Sequence, residues 1–449
     1  MKCALVVDDS KFMRTVVGNE LREHGYEVVE ASNGKQALEA VEIHNPDVIT
    51  MDVAMPEMNG IEAVEHIMNW RPTPILMVSA YTADGAEATL DALQKGAVGF
   101  IQKPGGEVSI ETRPLEDELI EKVEAAIGAD AEVLSPGDSA DEPGDEGSDG
   151  SDRAIDAATE ASAESVSADT RAVDAAAEAV EAAAEAVEAV SDAEAVNTTA
   201  DAATADVSDA RETTDATPED GQTAVELPPR PDDGADSSRE PAPGVAERYR
   251  AAEYVDDPTI VIGASTGGPK ILNDILRTLP RELSARVLVV QHMPESFTGR
   301  FAVRLDGVSG YEVAEARDGE RIGPGQVRVA HGDSHLKVAD DSAGQLTLEL
   351  IDDQLSRTVR PAIDVTMETA AAAVEQPLVG VALTGMGSDG AAGIRAIKEA
   401  GGSTIVQDEE TSPVFGIPQK AIETGCVDQV LAAEEIVEGV LETFITEGD

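Results

Sequence analysis

Two stretches of the chain alternate short apolar runs with amphipathic segments, and a long stretch between them does neither. Over residues 1–127 the runs CALVV, EVVEA, DVITM, ILMVSA and VGFIQ have the length and β-branched content of buried strands. Between them, Phe12–Leu21 and Lys35–Val41 keep apolar residues at helical spacing. From about Pro258 to Phe444 the texture returns. Here TIVIGA, ARVLVVQH, QVRVAHG, LTLELI, LVGVALTG and STIVQD read as strands separated by helix-like stretches. Strands that alternate with helices predict parallel βαβ units. The chain therefore reads as two α/β domains, at 1–127 and 256–445, the second doubly wound and mostly parallel.

Residues 128–255 show neither period. Ala131–Glu240 holds 31 acidic residues and five arginines, with no lysine and no aromatic. Such a segment cannot bury enough apolar surface to offset its chain entropy, so a long disordered acidic linker is expected. Val173, Val180 and Val187 stand seven apart among alanines. That spacing permits a coiled coil but reads more plainly as a marginal acidic helix within the tether. A flexible tether of about 120 residues has an r.m.s. span of roughly 60 Å. The local concentration it provides is on the order of 1 mM or less. Tethering alone cannot hold the two domains together; a stable contact needs affinity of its own.

The formal charge is −57, from 32 Lys+Arg against 89 Asp+Glu. This excludes nucleic acid and anionic membranes as partners, since both require a basic footprint. Acidic residues also predominate outside the linker, the pattern of a surface adapted to high salt. Cys3 and Cys426 cannot make a disulfide framework and are expected as buried thiols in a reducing compartment. The first apolar run is too short for a signal peptide, and no run approaches the ~20 residues that span a bilayer. A soluble cytoplasmic protein without membrane insertion is expected.

Polar residues sit where the N-terminal strands end. Asp8 and Asp9 close the first, Asp52 the third, Ser79 the fourth and Lys103 the fifth. In a doubly wound sheet these collect at the carboxyl edge, where such folds bind ligands. Three carboxylates there repel one another unless a hard cation sits among them, and oxygen ligation suits Mg²⁺. A carboxylate so placed can attack phosphorus while Mg²⁺, a lysine and a hydroxyl neutralise the phosphoryl oxygens. Each residue alone reads as a cap or a turn; the five together do not. The stretch, with VITMDVAMPEMNG at its centre, resembles the response-regulator receiver domain, a flavodoxin-like (βα)5 fold. The resemblance implies Asp52 as phosphoacceptor, and Mg²⁺ held by Asp9, Asp52 and the Ala54 carbonyl, with Asp8 bonding through water. It places Ser79 and Lys103 on the phosphoryl group, makes Phe100 the switch aromatic, and makes Lys103–Pro104 a cis peptide.

In TIVIGASTGGP an apolar run stops at Gly263, and Ser265 follows in a G-x-S-x-G pattern before a helix. Ser265 reads as a nucleophile, a helix N-cap or part of a phosphate loop. The last is disfavoured because G-x-G-x-x-G is absent. A nucleophile needs a base. His292 ends ARVLVVQH one βα unit later on the same edge, whereas His24, His44 and His66 read as surface residues of the first domain. Asp389 follows LVGVALTG in the loop MGSDGAAG, again at a carboxyl edge. In such an arrangement imidazole takes the seryl proton and the carboxylate fixes its tautomer. The chain order Ser–His–Asp differs from that of the α/β-hydrolases.

The segments IGASTGGP, QHMPESFTGRFA, RPAIDVTM, LTGMGSDGAAG and FGIPQKAI, in that order, resemble the catalytic domain of the chemotaxis receptor methylesterase family. The resemblance implies Ser265 as nucleophile, His292 as base, Asp389 as orienting carboxylate and the Met386 N–H as oxyanion donor. It implies no cofactor for the esterase step. The expected substrates are glutamate methyl esters on methyl-accepting chemoreceptors, with deamidation of receptor glutamines, and the expected phosphodonor is a chemotaxis histidine kinase. Ser388 stands where the family usually has Asn, and His331 where it has Pro. His331 and His335 have the spacing of a metal pair, but the plainer reading of His335 is a family histidine. A receiver joined to a silent scaffold of receptor arrays is the competing reading; the intact Ser, His and Asp weigh against it.

Lowering salt should raise self-repulsion within both acidic domains. Thermal unfolding is expected to move to higher temperature as KCl rises beyond about 1 M. A melting curve indifferent to salt would leave the surface acidity without this explanation.

Overall fold

The computed structural model describes residues 2–79, 83–103, 113–129, 131–134, 249, 252–352, 359–375 and 377–446. The valine repeat, the Pro104 side of the expected cis peptide and nearly all of the expected linker lie outside them.

The first domain is a five-stranded parallel sheet of order β2-β1-β3-β4-β5, built from Cys3–Val7 (β1), Glu27–Ala31 (β2), Val48–Asp52 (β3), Ile75–Ser79 (β4) and Gly99–Gln102 (β5). Its helices are Lys11–Glu23 (α1), Gly34–His44 (α2), Gly60–Trp70 (α3), Ala83–Gln94 (α4) and Arg113–Ile127 (α5). Alternate residues of β1 feed opposite layers: Leu5 and Val7 join one core cluster, Ala4 and Val6 another. This two-residue period under helices on both faces explains why the strands read as continuous apolar runs. Ser10, Asn33 and Asn59 cap the first three helices, accepting the N–H of Met13, Gln36 and Glu62.

The second domain is a seven-stranded parallel sheet of order β15-β14-β13-β6-β7-β10-β8. Its strands are Thr259–Ala264 (β6), Arg286–Gln291 (β7), Glu312–Glu315 (β8), Gln326–Val329 (β10), Leu378–Ala382 (β13), Ser403–Gln407 (β14) and Gln429–Leu431 (β15). The helices are Gly268–Thr278 (α7), Glu295–Val308 (α8), Ile363–Ala373 (α9), Ala391–Glu399 (α10), Gly416–Glu423 (α11) and Ile436–Phe444 (α12). LTLELI departs from the parallel expectation. It lies within Gln345–Ile351 (β12), which pairs antiparallel with His335–Ser342 (β11) and with Arg321–Ile322 (β9) in a separate small sheet. The tight turn Ala343–Gly344 joins β11 to β12, and both residues have positive φ, at 54° and 74°, as a primed hairpin turn requires.

Packing reaches into both ends of the stretch expected as linker. Ala131–Leu134 forms a short helix (α6) whose Leu134 is buried, and Lys270 Nζ donates to the Leu134 carbonyl at 2.6 Å. At the far end the Tyr249 hydroxyl donates to Glu438 on α12 at 2.7 Å. Cys3 and Cys426 are free thiols, only partly buried rather than buried outright. Among the described residues no helix is long and apolar enough to cross a membrane.

Arg286, the first residue of β7, is 1% exposed. It donates to Asp341 on β11 at 2.7 and 3.2 Å, to the Thr259 hydroxyl and to the Asp257 carbonyl, tying the amino edge of the large sheet to the small one. Arg286→Ala strands Asp341 without its partner and should cost about 3 kcal/mol. The measurement is the urea midpoint at constant slope; a loss below about 1 kcal/mol would mean the clamp is dispensable.

Candidate active site

Lys103 Nζ lies 2.9 Å from both Asp8 Oδ2 and Asp52 Oδ1 at the carboxyl edge of the first sheet. The carboxylates of Asp8, Asp9 and Asp52 each offer an oxygen within 4.8 Å of the others. Ser79 ends β4 beside them and donates to the Gly85 carbonyl at 3.2 Å, while Ala54 lies in the loop two residues past Asp52. Burial pushes the Asp52 carboxyl above its ordinary value; the Lys103 hydrogen bond and charge oppose this, and the Asp8 charge adds to it. Burial works against the Lys103 ammonium too, yet its bonds to Asp52 and Asp8 outweigh that and hold it above the ordinary value. The two directions are compatible, because Lys103 is shared between two carboxylates and each receives only part of its charge. An all-oxygen acidic cluster with one cation among three carboxylates fits a hard divalent ion.

In the second sheet β13, β6 and β7 are neighbours in register, Ala382 opposite Gly263 and Ala264 opposite Gln291. Ser265, His292 and the loop carrying Asp389 therefore leave one edge side by side. The turn at Ser265 is pinned on three sides. Its N–H donates to the Thr384 carbonyl at 2.9 Å, and its carbonyl accepts the Gly268 N–H at 2.9 Å and Gln291 Nε2 at 2.8 Å. A Cβ on Gly385 would come within 2.6 Å of Ser265 Cβ, so only glycine allows that approach. The N-cap of α7 is Gly267, in the left-handed region at φ 80°, so Ser265 is not the helix cap.

His292 Nε2 lies 2.8 Å from Asp389 Oδ2, which leaves Nδ1 as the nitrogen available to a seryl proton. Among the described residues no hydrogen bond joins the Ser265 hydroxyl to His292. Asp389 also accepts the N–H groups of Ile363 at 2.7 Å and Asp364 at 3.0 Å. Burial raises the Asp389 carboxyl, but the hydrogen bond and charge of His292 and these two amides outweigh it, leaving it below the ordinary carboxylate value. Met386 follows Gly385 beside Ser265, and its N–H makes no hydrogen bond among the described residues. Ser265, His292, Asp389 and Met386 line one cavity of about 810 Å³. His335 Nδ1 accepts the Ala362 N–H, while His331 Nε2 faces Glu295 at 3.8 Å.

Residues 260–440 match the family model for CheB methylesterase, and residues 4–113 match that for the response regulator receiver domain. The protein-glutamate methylesterase/protein-glutamine glutaminase of Haloarcula marismortui is 42% identical over 99% of this chain and 98% of its own length. The enzyme of the same name from Pyrococcus horikoshii is 35% identical over 98% of this chain and 92% of its own length. The chain belongs to the CheB methylesterase family.

In this CheB methylesterase chain the receiver closes one side of the cavity. The Val98 carbonyl, just before β5, accepts the Gly267 N–H at 2.8 Å, two residues past the serine. Phe100 stacks on Phe297 of α8 with centroids 4.5 Å apart and planes at 20°. Arg304 of α8 pairs with Glu87 at 2.9 Å and with Asp91, both on α4. The partner of Phe100 is not legible in the sequence, since nothing in a single aromatic names the ring it will meet. Ile363 and Asp364 are equally hard to find there, the one signal being an acidic residue in the first turn of a helix.

A carboxyl raised in the folded state binds its proton more tightly folded than unfolded. Its stabilising contribution is present below the unfolded value and is lost as pH rises through the folded one. Without divalent ions, Asp52→Asn should therefore melt above the parent chain near neutral pH, with the gap closing as pH falls through the carboxylate range. Equal melting temperatures at both ends of that range would contradict the upward shift of the Asp52 carboxyl by burial.

Proposed function

We propose that this chain is a phosphorylation-controlled methylesterase of the cytoplasm. It hydrolyses glutamate methyl esters on methyl-accepting chemoreceptors, releasing methanol, and deamidates receptor glutamines, so serving sensory adaptation. The supporting observation is the convergence of Ser265, His292 and Asp389 from three adjacent strand ends on one cavity. His292 Nδ1 takes the Ser265 proton as Oγ attacks the ester carbonyl. Asp389 on Nε2 holds the tautomer and stabilises the imidazolium. The Met386 N–H faces the developing oxyanion. Protonation of the leaving oxygen by His292 releases methanol; water then attacks the acyl-serine with His292 as base and leaves a glutamate carboxylate. A primary amide follows the same route with ammonia as the leaving group.

In this reading a chemotaxis histidine kinase phosphorylates Asp52, with Ser79 and Lys103 on the phosphoryl group. Mg²⁺ held by Asp9, Asp52 and the Ala54 carbonyl, with Asp8 through water, would neutralise charge there. Phosphorylation relieves the receiver's cover of the esterase site, with Phe100 as the switch aromatic between the two.

Methanol release from methylated receptors tests this reading. Ser265→Ala and His292→Ala should each lose at least about 10³-fold in turnover while melting like the parent, because triad members act as a unit. Ser265→Ala within about tenfold of the parent would overturn the assignment. The isolated domain from about Pro258 and the full chain with Mg²⁺ and a phosphodonor should both outpace the unphosphorylated full chain. Equal rates in all three would remove the receiver's inhibitory role, and no methanol at any protein concentration would leave the scaffold reading.

A further inference from the structure

Two helices beside the cavity begin without a cap of their own. Ala362 precedes α9 and Gly390 precedes α10, and neither side chain can accept an N–H. Helix starts leave backbone donors that need partners, and here each helix receives a carboxylate from the segment that starts the other. Asp389, one residue before Gly390, accepts the N–H groups of Ile363 and Asp364 at the start of α9. Asp364, in the first turn of α9, accepts the N–H groups of Gly390 and Gly393 at the start of α10, both at 2.8 Å on the same oxygen, Oδ1. The exchange needs close approach, and the helices are nearly in backbone contact. A Cβ on Gly393 would lie 2.5 Å from Met367 Cβ on α9.

We propose that Asp364 is a positioning residue for ester hydrolysis, fixing the loop that carries Asp389 so that the Asp389 carboxylate meets His292 Nε2. The inference rests on Asp389 being the orienting carboxylate of the Ser–His–Asp set. Asp364 is itself buried, 5% exposed, and its Oδ1 is taken up by the two amides at the start of the other helix. An anionic group in that setting is costly unless its partners are fixed, and amides at a helix start are favourable partners for negative charge. With the acceptor gone, the Gly390 and Gly393 amides would seek another, and the nearest carboxylate on the loop is Asp389. Reorientation of Asp389 toward its own helix would break the contact with His292. The Asp364 side chain therefore keeps Asp389 from capping α10 as well as holding the loop.

The test uses the full chain with Mg²⁺ and a phosphodonor, and reads methanol release together with the folded fraction. Asp364→Ala should lower kcat about 10²-fold per folded molecule with KM within about threefold, the split expected when geometry rather than binding is lost. Asp364→Asn keeps an acceptor oxygen in place and should stay within about fivefold of the parent. In an Asp389→Ala background, Asp364→Ala should cost less than about threefold more, because a residue that acts through Asp389 has nothing left to position. A full multiplicative loss in that background would overturn the proposal, as would an Asn variant as poor as Ala or a kcat per folded molecule unchanged by Asp364→Ala. Should Asp364→Ala fail to fold, Asp364→Ser takes its place in the same cycle. If Asp389→Ala alone proves fully active, the triad reading fails, and that result is distinct from failure at Asp364.

Discussion

The parallel pairing of β13, β6 and β7 is the constraint on which the esterase site depends. Parallel neighbours end on the same edge, so residues 383–390, Ser265 and His292 emerge together although they are far apart in the chain. Hydrogen bonds across these strand ends then set the fine position. The Ser265 N–H reaches the Thr384 carbonyl, the His292 N–H reaches the Ala264 carbonyl at 3.0 Å, and Gly385 lets the third loop close against the serine. The cores of the two faces, with Ile260 and Ile262 in one cluster and Val261 in the other, hold the strands in that register.

The contact between the receiver and the esterase domain divides into parts with different sensitivity to salt. The Arg304 pairs with Glu87 and Asp91 involve acidic groups that are 57% and 45% exposed, and exposed pairs weaken as the screening length falls to about 3 Å at 1 M salt. The Phe100–Phe297 stack and the Val98–Gly267 hydrogen bond are not lost that way, and apolar contacts strengthen in the presence of excluded salts. An acidic chain working in concentrated salt would therefore rely on the second set for closure. The first set would contribute register more than affinity.

Much of this was legible in the sequence because the informative residues are local. Every strand of the first sheet appeared as an apolar run, and in the proposed triad Ser265 and His292 each directly follow a strand while Asp389 lies in the loop after β13. What was missed is decided by pairing rather than by pattern. EVAE in β8 and HLKVADDS in β11 carry too few apolar residues to read as strands, and only their neighbours in the sheets make them so. Leu134 and Tyr249 stand in stretches whose composition reads as tether, yet each finds a partner on a folded domain. Asp364 looked like any acid in a first helical turn. Its role depends on a second helix start that sequence spacing cannot bring near.

The Val98–Gly267 bond joins two main-chain groups, a carbonyl and an amide that every residue but proline supplies in the same form. A side-chain contact can be erased by one substitution, whereas this one is indifferent to the side chain at position 98; at 267 the left-handed backbone and the closeness of Pro413 hold the position to glycine. Sequence drift on the covering face can therefore proceed without releasing the enzyme, and the inherited quantity is strand length. A single deletion between α4 and β5 would slip the carbonyl past its amide, so variation in control over descent is expected as insertions and deletions rather than as point changes.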